Sequence, residues 1–493
     1  MYSGMNYVNG NFCSNRNDFQ SINPSNEEAI GCFPQSNEIE IKDCLRIARE
    51  SFLKWRDLSR VQRSEYFWRL AKIIEAKTEQ IAEVISLETG KSLNESRAEV
   101  IESLHMIQYC FGKGRENNGD IISSEIPDRD GYIIRKPKGV VAVIAPWNFP
   151  FAVGGCWNAG PAILEGNTVV LKPSELSPMV GQITAELYHE AGFPAGVFNL
   201  LHGDGKVGEI IANSDLVDHV AFTGSAEVGK LVRIACANSW HKTCNCEMGS
   251  KSAVIVFDDC DLDLAVSACL NSAFKLSGQR CVSSGRLLVQ RSILKEFEDK
   301  FIDKIKYAFI GAPEDFCPSN ASVCFGPLIS KEQKERVEYY NKMVRDDVFA
   351  KVLFDFAKVY KDKGYFIGPF VYECEWDDKA YLKEEVFGPH VAIVPFDTID
   401  EAIDIYNDTK FGLSLGAITN DFRKMRKIRS HCDSGMMYFN LGSIGAESHF
   451  FFGGVKASGN GWPSAAGMFD TIVHKVSVSV NHANSLNFPQ GLK

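Results

Sequence analysis

The chain has 493 residues, more than the roughly 250 to 300 at which one hydrophobic core stops growing, so we expect two or more domains. Hydrophobic residues make up 45% and charged residues 24% of the chain, a globular composition that excludes a disordered or fibrous protein. The formal net charge of -10 argues against a nucleic-acid partner, because binding to phosphates requires clustered Lys and Arg.

Cysteine usage and the N-terminus both indicate a cytoplasmic protein. The fifteen cysteines are scattered, unlike the dense paired framework of a small secreted domain, so we expect reduced thiols. No apolar run follows a basic start in residues 1–17, which predicts neither a secretory signal nor a transit peptide. The apolar span 139–171 contains three prolines and five glycines, which predicts two buried strands joined by a loop rather than a membrane span.

Hydrophobic spacing predicts a chain that begins mostly helical and then alternates strands and helices. The first predicted helices cover 42–59, 63–88 and 93–112, with Gly90 as the stop between the last two. From Gly139 the predicted strands cover 140–145, 168–172, 197–201 and 219–222, and the predicted helices cover 177–192, a short stretch after Gly205, and about 226–238. This alternation predicts a doubly wound parallel sheet with ligands at the carboxyl ends of its strands.

A second series begins with a predicted strand over 253–257, a helix over 263–276 and a strand over 286–290. Two further segments, 132–136 and 476–480, are predicted to be exposed strands at a sheet edge. Because open edges invite aggregation, we expect these two to pair with each other or with a neighbouring subunit.

Cys281 is a candidate nucleophile. It follows a predicted helix and a glycine in the segment Ser277-Gly278-Gln279-Arg280-Cys281, where backbone N–H groups on a turn can favour the thiolate. Taken alone, the segment is more typical of one further buried cysteine, so the interpretation depends on its context.

Six separated motifs supply that context, and their order and spacing resemble those of the aldehyde dehydrogenase superfamily over nearly the whole chain. The motifs are Pro146-Trp147-Asn148-Phe149-Pro150, Lys172-Pro173-Ser174-Glu175, Phe222-Thr223-Gly224-Ser225 with Gly229, Glu247-Met248-Gly249-Ser250-Lys251-Ser252 leading to Gly278-Gln279-Arg280-Cys281, Glu384-Glu385-Val386-Phe387-Gly388-Pro389, and Phe452-Gly453-Gly454-Val455-Lys456-Ala457-Ser458-Gly459.

The resemblance assigns the catalytic roles. It implies that Cys281 attacks the aldehyde to form a thiohemiacetal, which becomes a thioester when hydride passes to a nicotinamide. The oxyanion would be held by the Asn148 amide and the Cys281 N–H, and water activated by Glu247 would discharge the thioester. The alternatives are structural: a turn former for Asn148 and a salt-bridged surface carboxylate for Glu247.

The resemblance also implies a dinucleotide site. Gly224 and Ser225 close a strand and open a helix, where backbone N–H groups can meet a pyrophosphate, although this is not the G-x-G-x-x-G fingerprint. Lys172, Ser174 and Glu175 form the motif that holds the adenosine ribose. A carboxylate at Glu175 would repel the 2′-phosphate of NADP, so NAD is the predicted cofactor and NADP the less favoured one.

At the other end of the cofactor, Glu385 matches the residue that binds the nicotinamide ribose, and Phe387 matches the aromatic residue beside it. The alternative for both glutamates of the cofactor site is a solvent-exposed carboxylate. Cys244 and Cys246 lack a second Cys or His pair at zinc spacing, so no metal site is predicted.

The substrate is predicted only as a small-molecule aldehyde. Arg280 precedes the nucleophile and would suit an aldehyde that carries a carboxylate, as in amino-acid-derived semialdehydes. The alternatives are a structural ion pair at Arg280 and an apolar aldehyde favoured by the aromatic residues Phe450-Phe451-Phe452.

Two departures from the family pattern are visible. Ser250 stands where the family usually has a second glycine, which could alter the backbone next to Glu247. The stretch 151–157 is slightly longer than in many members, so no substrate-tunnel residue is carried over from it.

Other functions stay open. An enzyme that acylates coenzyme A is disfavoured by Glu247, a non-catalytic protein of the same fold by the intact set of Cys281, Asn148 and Glu247, and a cysteine esterase by the adenosine-site residues. The expected architecture is α/β, with a Rossmann-like doubly wound cofactor domain (1–118 and 138–249), an α/β catalytic domain (250–460) and a small β oligomerisation flap (119–137 and 471–485). The flap implies a homodimer or homotetramer, with no membrane or nucleic-acid partner.

Overall fold

The structure is a computed structural model that describes residues 2–13, 16–313, 315, 321, 324–356, 363–462 and 464–486. Its elements form an α/β protein with two large, mainly parallel sheets, and the predicted fold class is confirmed. No helix among the described residues is both long and apolar enough to cross a bilayer.

Five short strands precede the first helix: Tyr2–Ser3, Asn6–Val8, Asn11–Cys13, Phe19–Ile22 and Ala29–Phe33. The prediction of a mostly helical start is therefore wrong for these residues. Strands of two to five residues are too short to show a hydrophobic period, and their partners are distant in sequence. Asn6–Val8, for example, pairs antiparallel with Phe198–Leu200.

Four helices follow, at Glu38–Trp55, Arg60–Ala76, Thr78–Thr89 and Leu93–Lys113. Three begin at side-chain caps, where Asn37, Ser59 and Ser92 accept hydrogen bonds from backbone N–H groups. Gly90 ends the third helix with φ of 76°, as predicted. The single helix predicted over 63–88 is instead broken at Lys77, whose φ of -108° departs from helical geometry.

The first large sheet has eight strands, of which the central five are parallel. In spatial order they are Gly459–Asn460, Thr243–Glu247, His219–Thr223, Val140–Ile144, Thr168–Lys172, Phe198–Leu200, Asn6–Val8 and Asn11–Cys13. The four predicted strands are present. The strand Thr243–Glu247, which ends at the candidate base, is not among the predicted strands.

Helices cover this sheet at Ala159–Leu164, Pro178–Glu190, Gly205–Asn213 and Ala226–Ala237. The predicted loop inside 139–171 is wrong, because Pro150–Asn158 forms a π-helix that leads directly into Ala159–Leu164. In a π-helix each N–H group bonds to the carbonyl five residues earlier, rather than four as in an α-helix. The stretch 151–157 is therefore regular helical structure.

The second large sheet has seven strands, parallel except at one edge. In spatial order they are Lys351–Asp355, Phe370–Glu373, His390–Phe396, Ser284–Gln290, Ser252–Val256, Ser414–Ile418 and Met436–Phe439. Its helices are Leu262–Phe274, Leu294–Ile305, Lys331–Arg345, Ala380–Lys383, Ile399–Asn407 and Phe422–His431, with short 3₁₀ turns at Lys275–Gly278 and Arg291–Ile293.

The two predicted edge strands pair with each other in a separate three-stranded sheet. Arg129–Pro137 lies between Val473–Asn481 and Gly119–Ile122, with Val476 opposite Ile134. Smaller two-stranded pairs join Phe309–Ile310 to Cys324–Phe325, Phe411–Gly412 to Val455–Lys456, and Phe451–Phe452 to Ser464–Ala465, and a last helical turn covers Met468–Thr471. The domain boundaries stay a prediction.

The cysteines depart from the sequence prediction at one position. Cys324 is disulfide-bonded, so the expectation of uniformly reduced thiols is wrong there, whereas Cys244, Cys246 and Cys281 carry free thiols.

Candidate active site

A cavity of about 1240 Å³ opens at the carboxyl ends of the first sheet. Strand-terminal residues of that sheet, Lys172, Thr223 and Glu247, line one side, and Cys281 and Glu385 line the other. This is the position at which a doubly wound sheet is expected to bind its ligand.

The turn before Cys281 has an unusual backbone. Leu276, Ser277 and Gly278 adopt left-handed conformations in succession, with φ of 55°, 52° and 72°. A Cβ at Gly278 would lie 2.2 Å from the carbonyl oxygen of Gly388, so only glycine fits there. Left-handed non-glycine residues cost about 1 to 3 kcal/mol each and concentrate at functional sites.

The Cys281 thiol keeps a little solvent-accessible area but is densely surrounded by protein. Burial raises its pKa, and the carboxylates of Glu247 and Glu385 raise it further. The Arg280 charge and a hydrogen bond from the Val282 N–H act in the opposite direction. The expectation that the turn favours the thiolate is therefore wrong at rest, because burial and two carboxylates outweigh the turn.

Glu247 ends the strand Thr243–Glu247 and is buried. Neither of its carboxylate oxygens has a hydrogen-bond partner in the part of the chain that the structure describes, and burial raises its pKa well above the ordinary value. This excludes a salt-bridged surface carboxylate. A buried carboxyl group without partners is rare in proteins and is typical of functional sites.

Asn148 lies in the loop after the strand Val140–Ile144 and is buried. Its side-chain nitrogen donates to the carbonyl oxygen of Gln279 at 3.1 Å, which joins its loop to the Cys281 turn. An amide nitrogen carries two hydrogens, so a second donor remains on Asn148 at the cavity wall.

The predicted adenosine and pyrophosphate residues line the same cavity. The Lys172 ammonium lies 3.2 Å from Glu175, and the Ser174 hydroxyl accepts from the Leu176 N–H at 3.2 Å. Ser225 follows Gly224 and caps the helix Ala226–Ala237 by accepting from the Val228 N–H at 3.3 Å.

Glu385 and Phe387 also line the cavity. Glu385 accepts a hydrogen bond from the Ser250 N–H at 2.7 Å, and burial raises its pKa to about 7. A Cβ at Gly249 would lie 1.9 Å from this carboxylate, so the glycine permits the approach. The Phe387 ring packs edge-on against Trp147, with centroids 5.5 Å apart.

The position of Arg280 agrees in part with each of its two predicted roles, a structural ion pair and a group that binds a substrate carboxylate. It lies 3.8 Å from Glu95, with its guanidinium 5.2 Å from the centre of the Phe149 ring. It also lines the cavity, and its Nε is buried without a hydrogen-bond partner. The weak ion pair therefore leaves part of the guanidinium unsatisfied.

Comparison with known proteins is consistent with this geometry. The model of the aldehyde dehydrogenase family matches residues 12–477.

The chain belongs to the aldehyde dehydrogenase family.

Among curated proteins, it is 34% identical over 463 residues to the α-ketoglutaric semialdehyde dehydrogenase of Bacillus subtilis, covering 92% of this chain and 93% of that one. A structure of betaine aldehyde dehydrogenase from Staphylococcus aureus in complex with NAD+ is 30% identical with a TM-score of 0.92, covering 100% of this chain and 97% of that chain. A lactaldehyde dehydrogenase structure is 29% identical with a TM-score of 0.91, covering 97% and 99%.

All residues predicted from the aldehyde dehydrogenase motifs line this one cavity: Asn148, Lys172, Ser174, Glu175, Gly224, Ser225, Glu247, Arg280, Cys281, Glu385 and Phe387. Their individual roles stay predictions. Sequence reasoning missed Glu102, which lines the cavity near Arg280 and whose pKa burial raises to about 7. No motif marks Glu102, because it is one of several glutamates on the helix Leu93–Lys113.

Proposed function

We propose that this aldehyde dehydrogenase oxidises an aldehyde to a carboxylic acid with NAD, through a thioester on Cys281 that is hydrolysed by water activated by Glu247. The observation that carries the proposal is the meeting of Cys281, Asn148 and the unpartnered Glu247 carboxylate on the wall of one cavity.

Glu247 has the environment of a general base. Its carboxylate has no competing donor among the described residues, so the ionised form can accept the Cys281 proton as sulfur attacks the aldehyde carbon, lose that proton to solvent, and then accept a proton from the attacking water. Burial raises the pKa of both groups, so the reaction proceeds through the fraction of molecules in which Glu247 is ionised while Cys281 is still a thiol. Hydrolysis of the thioester releases the acid and restores the thiol.

Asn148 supports the tetrahedral intermediate in this proposal. Its amide nitrogen is already oriented by the bond to Gln279, and its second hydrogen and the Cys281 N–H supply two donors for the oxyanion. Because the donors are fixed before the reaction, little reorganisation opposes charge development.

The residues present fit NAD. The capped N-terminus at Ser225 suits a pyrophosphate, and Lys172 and Glu175 form a charged pair suited to ribose hydroxyls. The Glu175 carboxylate would repel a 2′-phosphate, and the similar betaine aldehyde dehydrogenase was solved with NAD+. When bound, NAD accepts the hydride that leaves the thiohemiacetal carbon.

For the substrate, we propose an aldehyde that carries a carboxylate. The partly unsatisfied Arg280 guanidinium on the cavity wall can bind that group, and the Bacillus subtilis relative is named for such an aldehyde. Glu95 and Glu102 lie near Arg280, so they position the guanidinium and offset part of the positive charge around it.

The test measures cofactor reduction with NAD and NADP on succinic semialdehyde and on a neutral aldehyde of equal length. We expect reduction with NAD that Cys281→Ser abolishes, and a preference for the semialdehyde that Arg280→Ala lowers by about tenfold to a hundredfold. An unchanged preference would show that Arg280 is not the carboxylate anchor. Turnover that requires coenzyme A, or ester hydrolysis without cofactor reduction, would contradict the proposed reaction.

We also propose a cytoplasmic homodimer or homotetramer. The strand Gly119–Ile122 leaves one edge of the three-stranded sheet without a partner strand among the described residues, and Ile121 on it is 94% exposed. Sedimentation of the purified protein tests the assembly, and a monomer at micromolar concentration would contradict it.

A further inference from the structure

Ser250 contacts both Glu385 and the backbone of Cys281. Its backbone N–H donates to Glu385 at 2.7 Å, and its hydroxyl donates to the carbonyl oxygen of Cys281. Family members that have a second glycine at this position have no hydroxyl there. The contact with the nucleophile's carbonyl is therefore made by the side chain in which this chain departs from the family pattern.

The Ser250 hydroxyl is itself held in place. It lies 2.7 Å from the Ser252 hydroxyl, which lies 2.9 Å from the Ser414 hydroxyl. Because the single Ser250 proton goes to Cys281, the other two must donate in sequence from Ser414 to Ser252 to Ser250. Such a chain of hydroxyls strengthens its last bond by polarisation.

The backbone around Ser250 is also clamped. The Gly249 carbonyl accepts from the Ser458 hydroxyl at 2.9 Å, and the Lys251 carbonyl accepts from the buried Arg286 guanidinium at 2.6 Å. The Lys251 ammonium in turn donates to the carbonyl of Glu384 at 2.8 Å. Ser250 therefore acts from a fixed position.

The Cys281 carbonyl and the Val282 N–H belong to one planar trans peptide, so they point in opposite directions. The Val282 N–H lowers the pKa of the Cys281 thiol, because it favours negative charge on the sulfur. When the Ser250 hydroxyl fixes the carbonyl, it also fixes the direction of the N–H that supports negative charge on sulfur.

We propose that Ser250 is a positioning residue that stabilises the Cys281 thiolate by orienting the Cys281–Val282 peptide. The inference deepens the proposed function, since it takes Cys281 as the nucleophile. The charged or titratable groups that face Cys281 are Glu247, Glu385, Arg280 and Tyr438. Replacing Ser250 by alanine leaves all four in place and keeps the backbone N–H to Glu385.

The test follows iodoacetamide alkylation of Cys281 in the enzyme without cofactor or aldehyde, across a pH series, by mass spectrometry of the Cys281 peptide. In Ser250→Ala we expect alkylation about threefold to tenfold slower near neutral pH, with its midpoint raised by about half to one pH unit. Because no turnover is measured, the result is independent of whether the proposed oxidation is correct.

Ser443→Ala is the matched control. The Ser443 hydroxyl is also buried and donates to the Val282 carbonyl at 2.6 Å, but that carbonyl belongs to the next peptide. We expect its alkylation profile to match the wild type. A wild-type profile in Ser250→Ala, or equal slowing in Ser443→Ala, would overturn the proposal. If Ser250→Ala fails to fold, Ser252→Ala must show a smaller shift in the same direction, and no shift would also overturn it.

Discussion

Glu88, on the helix Thr78–Thr89, and Glu247, on the cavity wall, are both buried but differ in their hydrogen bonding. Glu88 accepts hydrogen bonds from the Ser21 hydroxyl at 2.6 Å and from the backbone N–H groups of Met179 and Val180 at 2.8 and 2.9 Å. Glu247 is equally buried and has no partner on either oxygen. Identical side chains at similar burial therefore differ in hydrogen bonding, and that difference separates a structural carboxylate from one available for chemistry.

Glu99 extends the comparison to a charged pair. Its carboxylate binds the buried Lys91 ammonium and accepts from the N–H groups of Phe151 and Ala152 at 3.0 and 3.1 Å. These two N–H groups lie at the start of the π-helix Pro150–Asn158, directly after the Asn148 loop. Glu99 is thus a structural group that holds the chain directly after Asn148, the proposed oxyanion donor.

The largest expected effect is on turnover by Glu247→Gln. The amide keeps the shape of the side chain but cannot accept a proton, so we expect kcat to fall by about 10² to 10⁴. Stability should be unchanged or higher, because the substitution removes a buried carboxyl group without partners. Steady-state kinetics tests the expected fall in kcat, and thermal unfolding tests the expected stability. Near-normal turnover would show that Glu247 is not the base.

Glu99→Gln should do the reverse. It leaves the Lys91 ammonium buried without its counter-charge, so we expect a loss of about 3 to 5 kcal/mol in the free energy of unfolding. Denaturant unfolding measures this loss. Glu79→Gln is the control, because Glu79 pairs with Arg97 at the exposed surface and should contribute little. Equal stability of both variants would contradict the structural role of Glu99.

Asn148→Ala tests a group with both a structural bond, to Gln279, and a proposed role in catalysis. Losing one oxyanion donor typically lowers kcat by about 10² to 10³, and the bond to Gln279 is lost with it. Asn148→Asp preserves the shape but replaces the donor by an acceptor, so it should be as impaired as the alanine variant. Neither variant can donate to an oxyanion or to the Gln279 carbonyl, so near-normal turnover in either one would show that Asn148 is not an oxyanion donor.

The sequence predicts those parts of this picture that depend on local pattern. Buried strands such as Thr168–Lys172 and the helix Ala226–Ala237 were found at or near their observed bounds, because five or more residues show a clear pattern. The strand Thr243–Glu247 was missed, because it contains no aliphatic or aromatic residue of the kind that marks a buried strand.

For the site, the aldehyde dehydrogenase motifs supplied the residues but not their environments. No sequence pattern shows that Glu247 lacks partners among the described residues while Glu99 has three, since two of the three, the N–H groups of Phe151 and Ala152, come from a distant part of the chain. The effect of Ser250 likewise required the structure, because its hydroxyl meets a carbonyl 31 residues away.

The smallest expected effect concerns pH and sharpens the contrast at Glu247. Burial raises the pKa of this carboxyl, so at a given pH its base form is a smaller fraction than for an exposed glutamate, and that fraction increases as pH rises. Where hydrolysis of the thioester limits turnover, kcat should rise with pH in the wild type, and Glu247→Gln should lack that rise.

The raised pKa also means that the native state binds a proton more tightly than the unfolded state, so ionising Glu247 lowers stability as pH rises through its native pKa. The stability advantage of Glu247→Gln over the wild type should therefore grow with pH in thermal melts, whereas an advantage that shrinks with pH would mean that a partner stabilises the Glu247 anion.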